Sequence, residues 1–202
     1  MNSENQKAKQ GSPWLRRIAP DAVAVVLFVL VSVAYFITPM TQGLVLSGND
    51  ITGGVGAGRE RMEYLERTGN DTRWTNALFS GMPTYQIAPS YKSRSVLSGL
   101  ERVYELGLTD CAMYVFILLL GFYILMRTFR ARPPVAVFGA VAWAFSSYFF
   151  IIIGAGHLWK VLTLAFIPPT VAGMVLCYRG KYLWGGVMTM FFIAWQILSN
   201  HL

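Results

Sequence analysis

The sequence predicts an all-α polytopic membrane protein, with five transmembrane helices and a long outer first loop that carries short surface helices. Three observations predict it. Of the 202 residues, 54% are hydrophobic and only 13% charged, where a soluble domain is roughly 25% charged. The apolar residues gather into five stretches of membrane length, since a spanning helix needs roughly 20 mostly apolar residues. The cations cluster at alternate ends of those stretches, as membrane insertion demands. The same figures exclude other classes. So much apolar material does not stay solvated as a disordered chain. A charge-poor chain does not build the basic face of a nucleic-acid-binding domain, so no nucleic-acid partner is expected. Two cysteines exclude a disulfide scaffold and a cysteine-rich metal module.

Residues 1–19 read as a basic cytoplasmic tail and residues 20–202 as a single membrane domain. Span one, about 21–38, has an apolar interior without a charge. It reads as an uncleaved anchor, because its apolar run exceeds the roughly 7–15 residues of a signal peptide and no small-x-small site follows. The outer loop covers 39–108, and the remaining spans cover about 109–126, 135–153, 161–178 and 183–199. Pro168-Pro169 should kink or interrupt span four, because two backbone donors are missing there. Gly173 and Gly185-Gly186 permit close helix contact. Gln196 needs a polar partner, so it should face protein rather than lipid.

The charges set the orientation. Lys7, Lys9, Arg16 and Arg17 precede span one, Arg127, Arg130 and Arg132 link spans two and three, and Arg179 and Lys181 link spans four and five. If the spans alternate, these nine cations share one side, and the positive-inside rule makes it cytoplasmic. Against Glu4 and Asp21 they leave a net +7 there, while seven cations and eight acids nearly cancel in the outer segment with Asp110. The basic balance is thus a label of sidedness. Cys111 and Cys177 fall at opposite ends of a core about 30 Å thick and cannot bond.

Within the outer loop, Gly53, Gly54, Gly56 and Gly58 read as a flexible turn. A phosphate loop is rejected, because neither the Gly-Lys-Ser/Thr ending nor the dinucleotide-binding glycine spacing is present. Residues 59–67 predict a short charged helix, with Glu63 and Arg67 as a pair four apart. Residues 95–108 predict an amphipathic helix along the membrane surface. Residues 74–91 predict an ordered, turn-rich loop, and the Asn70-Asp71-Thr72 glycosylation triplet is given no role.

Few polar groups could carry chemistry. Asp50 lies beyond span one, His157 and Lys160 occupy the tight outer link between spans three and four, and Asn200 and His201 follow span five. Odd-numbered spans all deliver their following residues to the outer face, so these groups could converge. A carboxylate can act as base or bind a divalent metal, and a Lys or His cation can hold a phosphate. Bland roles compete: a turn for Asp50, an interface anchor for Lys160, a satisfied hydrogen bond for His157. Taken alone, the residues form no specific motif.

Four phrases in order, LSGNDI, WTNALFSGMPTYQI, GAGHLWKVLTLAFIPP and AWQILSNHL, resemble the N-terminal portion of YfhO-type bacterial membrane proteins, in an idiom most like that of Bacteroidetes. The resemblance covers roughly residues 20–202. That family is similar to the GT-C class of membrane glycosyltransferases, so it implies a partial GT-C-like bundle in the cytoplasmic membrane of a bacterium, multi-pass, with its N-terminus inside. It implies a polyprenyl-phosphate-linked sugar as donor on the outer face, membrane lipid as surroundings, and Asp50 as catalytic base or metal partner. His157 and Lys160 match the outer link that handles donor phosphate or acceptor, and Asn200 and His201 match a further substrate-binding phrase. The family's phrase around Trp74, Met82 and Tyr85 carries no assigned role. Chains of this type are much longer, so the resemblance also implies a missing C-terminal half and a portion inactive alone. His201-Leu202 departs from the Asn-His-Pro form of the family. The alternative is a non-catalytic membrane assembly or binding module, or an inactive fragment. A transporter ranks below both, because the span interiors hold no ionisable residue.

Overall fold

A computed structural model of the chain describes residues 13–86 and 94–199. Helix α1 is Pro13–Tyr35, followed by a single turn, α2, at Ile37–Thr41. The loop region holds helix α3 (Asn49–Thr68), two short strands β1 (Trp74–Thr75) and β2 (Met82–Pro83), a 3₁₀ turn at Thr84–Gln86 and helix α4 (Arg94–Tyr104). The apolar half follows as α5 (Asp110–Thr128), α6 (Pro133–Ala144), α7 (Ser147–Gly154), α8 (Leu158–Tyr178) and α9 (Tyr182–Leu198). Most of the described chain is helical, and its main body is that of a membrane-embedded protein. Three helices are long and apolar enough to cross a membrane: Arg16–Tyr35, Cys111–Thr128 and Leu158–Tyr178. A fourth span is present if α6 and α7 count as one.

Two of the five expected spans take a different form. The third is broken: α6 and α7 meet at 43°. The break falls at Phe145-Ser146, where Ser146 is extended (φ −64°, ψ 141°) and three-residue turns from Ser146 N to Trp143 O and Phe149 N to Ser146 O close the gap. A serine pair is a recognised site for such a bend. The fifth expected span, α9, has 17 residues and is shorter than a perpendicular crossing of roughly 20.

Helix α5 is the centre of the bundle and packs on α1, α6 and α8. Its run from Ala112 to Leu119 is buried on every face, as expected for a helix apolar all round. Helix α6 offers it a stripe of small residues, Ala136, Ala140 and Ala144, all fully buried. Small residues let membrane helices approach closely and gain van der Waals contact. The same logic joins α8 to α9. A Cβ on Gly185 would lie 2.6 Å from Gly173 O, and one on Gly173 would lie 2.9 Å from Gly185 O. Gly186 has open space instead. Many apolar side chains elsewhere are exposed, among them Leu30, Phe138 and Ile151. Lipid is the solvent that such a surface requires.

Pro168 and Pro169 lie inside an unbroken α8. The expected interruption is absent, and α5 packs closely on this stretch. Gly121 of α5 sits so close that a Cβ there would be 2.6 Å from Ala165 O and 3.2 Å from Pro169 Cδ. One turn on, Gln196 Nε2 donates to Thr170 Oγ1 (2.6 Å) and to Phe166 O (3.2 Å). Gln196 thus faces protein, as its polarity requires. Cys111 and Cys177 form no disulfide.

The glycine-rich run is not a turn: Gly53, Gly54, Gly56 and Gly58 all lie within α3, a 20-residue helix. Each interior glycine costs a helix roughly 1 kcal/mol relative to Ala, so tertiary contacts must hold this one. The expected Glu63–Arg67 pair is also replaced. Glu63 accepts from Arg59 Nε at 2.7 Å, and Arg67 lies 5.9 Å over the Tyr64 ring. The surface helix α4 is shorter than expected and faces the bundle with Leu97 and Tyr104, while Leu100 and Val103 point outward. The Tyr104 ring joins Phe166, Phe192 and Trp195. Burial of its hydroxyl pushes that phenol's pKa upward.

Candidate functional site

The chain order brings the first loop and the α7–α8 link to the same end of the bundle. Helix α1 ends there, α5 begins there, and α7 passes into α8 there. Gly48, the N-cap of α3, is extended and lies directly on that link: a Cβ on it would be 2.7 Å from Ala155 O and 3.0 Å from Gly156 Cα. From the other side, a Cβ on Gly156 would be 3.2 Å from Gly48 Cα and 3.3 Å from Ile51 Cγ1. Gly156 has φ +87°, a left-handed conformation that suits glycine. Two glycines from different elements therefore touch backbone to backbone: a side chain at Gly48 would collide with backbone, and one at Gly156 would be strained by its positive φ and crowded by Gly48 and Ile51.

This contact lies two residues before Asp50 and one before His157, two of the sequence-predicted site residues. Asp50 is the second residue of α3, between Gly48 and Ile51, and its side chain lies outside the described residues. His157 follows Gly156 directly and is the N-cap of α8, exposed at the surface. Its carbonyl accepts from Val161 N at 3.2 Å, and its own N–H donates to Ile152 O at 3.0 Å. Lys160 is one turn further on, half-buried, with Nζ 5.6 Å from the Tyr148 ring centroid. Such a cation–π contact anchors the ammonium. Asn200 and His201 lie outside the described residues. Among the described residues no group of three or more His, Cys, Asp or Glu is arranged to hold a metal ion.

The phrase around Trp74 has a physical role in the loop. Trp74 pairs with Pro83 and Thr75 with Met82 in the two-residue antiparallel ladder. The Glu60 carboxylate of α3 ties this hairpin down. It accepts from Thr75 Oγ1 (2.5 Å), Asn76 N (2.7 Å) and Ala77 N (3.1 Å). The hydrogen bond from Thr75, with those from the backbone, holds the Glu60 carboxyl below its ordinary range. The Trp74 indole lies over Gly81, where a Cβ would be 2.8 Å from the ring. Tyr85 is exposed on the 3₁₀ turn. Arg61 completes the scaffold with a bidentate pair to Asp71 at 2.6 and 2.7 Å. That bond raises the guanidinium's pKa. The Asn70-Asp71-Thr72 triplet is thereby built into the loop.

The opposite end of the bundle holds a cluster that the sequence reading missed. Asp21 Oδ1 accepts from Tyr123 Oη (2.6 Å) and from Arg127 Nε (2.7 Å), and Oδ2 accepts from Arg127 Nη2 (3.3 Å). Arg127 Nη1 also donates to Ala131 O at 2.6 Å. Arg179, at the end of α8, donates to Thr128 O at the end of α5. The available signal was an acid at the head of one span and a base at the foot of the next. Antiparallel neighbours place such residues together. The basic residues Arg16, Arg17, Arg127, Arg130, Arg132, Arg179 and Lys181 flank helix ends at this side, so the structure has one basic end and one end with the loop.

No family model, no curated protein and no solved structure matches the chain.

Proposed function

We propose that this chain is the N-terminal part of a membrane glycosyltransferase of YfhO type that uses a polyprenyl-phosphate-linked sugar on the outer face of the bacterial cytoplasmic membrane. In this reading the basic end is cytoplasmic, five spans cross the membrane with α6–α7 as one bent span, and the bundle is part of a GT-C-like domain. The observation that supports it is the Gly48–Gly156 contact, which lies two residues before Asp50 and one before His157. Two phrases that resemble the family are far apart in sequence and meet at that point.

The chemistry is that of an inverting transfer. Asp50 takes the proton of an acceptor hydroxyl, and the acceptor oxygen attacks the anomeric carbon. The anomeric carbon–oxygen bond to phosphate breaks, and polyprenyl phosphate leaves with the electron pair. His157, and Lys160 once released from Tyr148, steady the leaving phosphate. Asn200 and His201 extend the substrate-binding side.

A single substitution at the native locus tests the reading. Asp50→Asn keeps the side-chain volume and removes the base. It is expected to abolish the envelope glycan that the locus supports, with the amount of protein in the membrane unchanged. Retention of that glycan in Asp50→Asn would remove the catalytic role. Glycan retention together with crosslinking of the outer loop to a protein neighbour would favour the non-catalytic assembly module.

A further inference from the structure

We infer that the basic end of the bundle carries a binding site for an anionic phospholipid, formed between α1, α5 and the α8–α9 turn. A cavity of about 710 Å³ opens there, within the usual size of small-ligand sites. Its walls are apolar, with Val25 from α1, Leu120 from α5 and Leu176 from α8. Its rim is cationic, with Arg127, Arg130, Arg179 and Lys181 against the single carboxylate of Asp21, a net of +3. An apolar slot under a basic rim suits a ligand with hydrocarbon below and phosphate above. Basic pockets between membrane helices take such headgroups.

The four cations are not equivalent. Arg127 is already paired with Asp21 and with Ala131 O, and Arg179 donates to the Thr128 carbonyl. The side chains of Arg130 and Lys181 are exposed and have no hydrogen-bond or ion-pair partner among the described residues. Arg130 sits in the left-handed region at φ +65°, a conformation rare for a residue with a side chain. The turn after α5 therefore projects a cation over the cavity at some conformational cost. Asp21 is bonded to Arg127 and Tyr123, so among the described residues that line the cavity no anion is left to neutralise Arg130 and Lys181. A further apolar helix in the slot would leave them uncompensated, whereas a lipid phosphate supplies the missing charge. The site depends only on this end meeting a headgroup layer and is independent of the activity proposed above.

The test uses the purified full chain in mild detergent, exchanged with mixed vesicles of phosphatidylcholine and phosphatidylglycerol and read by native mass spectrometry. Retained phosphatidylglycerol should exceed phosphatidylcholine. Arg130→Ala and Lys181→Ala should each lower that enrichment about fivefold, the effect expected of one basic residue at an anionic surface. Arg59→Ala, on the exposed face of α3, should leave it unchanged. Val25→Trp fills the slot without altering charge and should reduce retention of both lipids, with thermal unfolding confirming a folded variant. Equal retention of the two lipids, or enrichment unaffected by Arg130→Ala and Lys181→Ala, overturns the proposal. Release of bound phosphatidylglycerol by excess glycerol phosphate overturns it too, because the site would then recognise a soluble phosphate and not a lipid.

Discussion

The two ends of the bundle are fastened by opposite means. At the loop end, Gly48 and Gly156 meet backbone to backbone, and the absence of side chains makes the contact. At the basic end, α1 and α5 are joined by side chains, through Asp21, Tyr123 and Arg127. The first junction has no room for a Cβ at Gly48 and little at Gly156. The second is half-exposed, with 37% of the Asp21 side chain and 33% of that of Arg127 accessible, and it borders an open cavity. A close-packed junction holds neighbouring functional groups in register, as a reacting site requires. A charged, open one admits a ligand from the headgroup layer. In the proposed function the loop end is the place of positioned chemistry, and the basic end is that of binding and sidedness.

The comparison breaks most visibly at Gly156. Gly156→Val places a branched side chain at φ +87° and against Gly48 and Ile51. It should cost about 2–3 kcal/mol, from left-handed strain and overpacking together. Thermal unfolding in detergent should show the loss, and proteolysis of the first loop should quicken. An unchanged melting temperature would mean that the two phrases are not packed together.

At the other end, Asp21→Asn should cost about 1 kcal/mol, since the ion pair is partly exposed and solvent screens it. A double-mutant cycle with Arg127→Met isolates the coupling, and additive losses would show that the pair contributes nothing. The helical assignment of the glycine-rich run makes a prediction of the opposite sign. Gly54 has open space around it, so Gly54→Ala should stabilise α3 by about 0.5–1 kcal/mol. Were the run a flexible turn, the substitution would bring no gain.

The smallest effect is local and depends on pH. The Glu60 carboxyl is lowered in the folded loop, so its contribution is complete at neutral pH. It disappears as pH falls through that lowered value. Limited proteolysis of the hairpin should accelerate as the solution is acidified. Glu60→Gln should be cleaved faster at neutral pH and should lose most of that pH response. Equal acceleration in the variant would assign the response to another group.

Much of the main body was legible because membrane spans are a property of composition over a long window. The central position of α5 follows from an apolar run without a polar face, and the inward orientation of Gln196 follows from the cost of an unpaired amide in hydrocarbon. The glycine-rich helix was not legible, because local propensity argues against it. It is held by contacts from outside the segment, with Glu60 and Arg61 bonded to residues 71–77 and Ile51 packed on Gly156. The bend between α6 and α7 was hidden for the opposite reason: Ser146 and Ser147 are too few to interrupt an apolar window. Of the candidate site, the placement of the first loop and the α7–α8 link at one end of the bundle was foreseeable from alternation of the spans. The glycines that bring these segments into contact were not, because a close approach depends on the partner's position. The attachment of the Trp74 hairpin to Glu60 was equally invisible, since it joins residues about 15 apart through one carboxylate.

The claim on which both halves of the comparison rest is that the two ends lie in different compartments, with Asp50 and His157 outside. It can be read directly with a membrane-impermeant thiol reagent on intact cells, after Cys111→Ser and Cys177→Ser remove the native thiols. His157→Cys should be labelled from outside, while Lys181→Cys should be labelled only after the membrane is opened. Labelling of both positions in intact cells, or of Lys181→Cys alone, would contradict it.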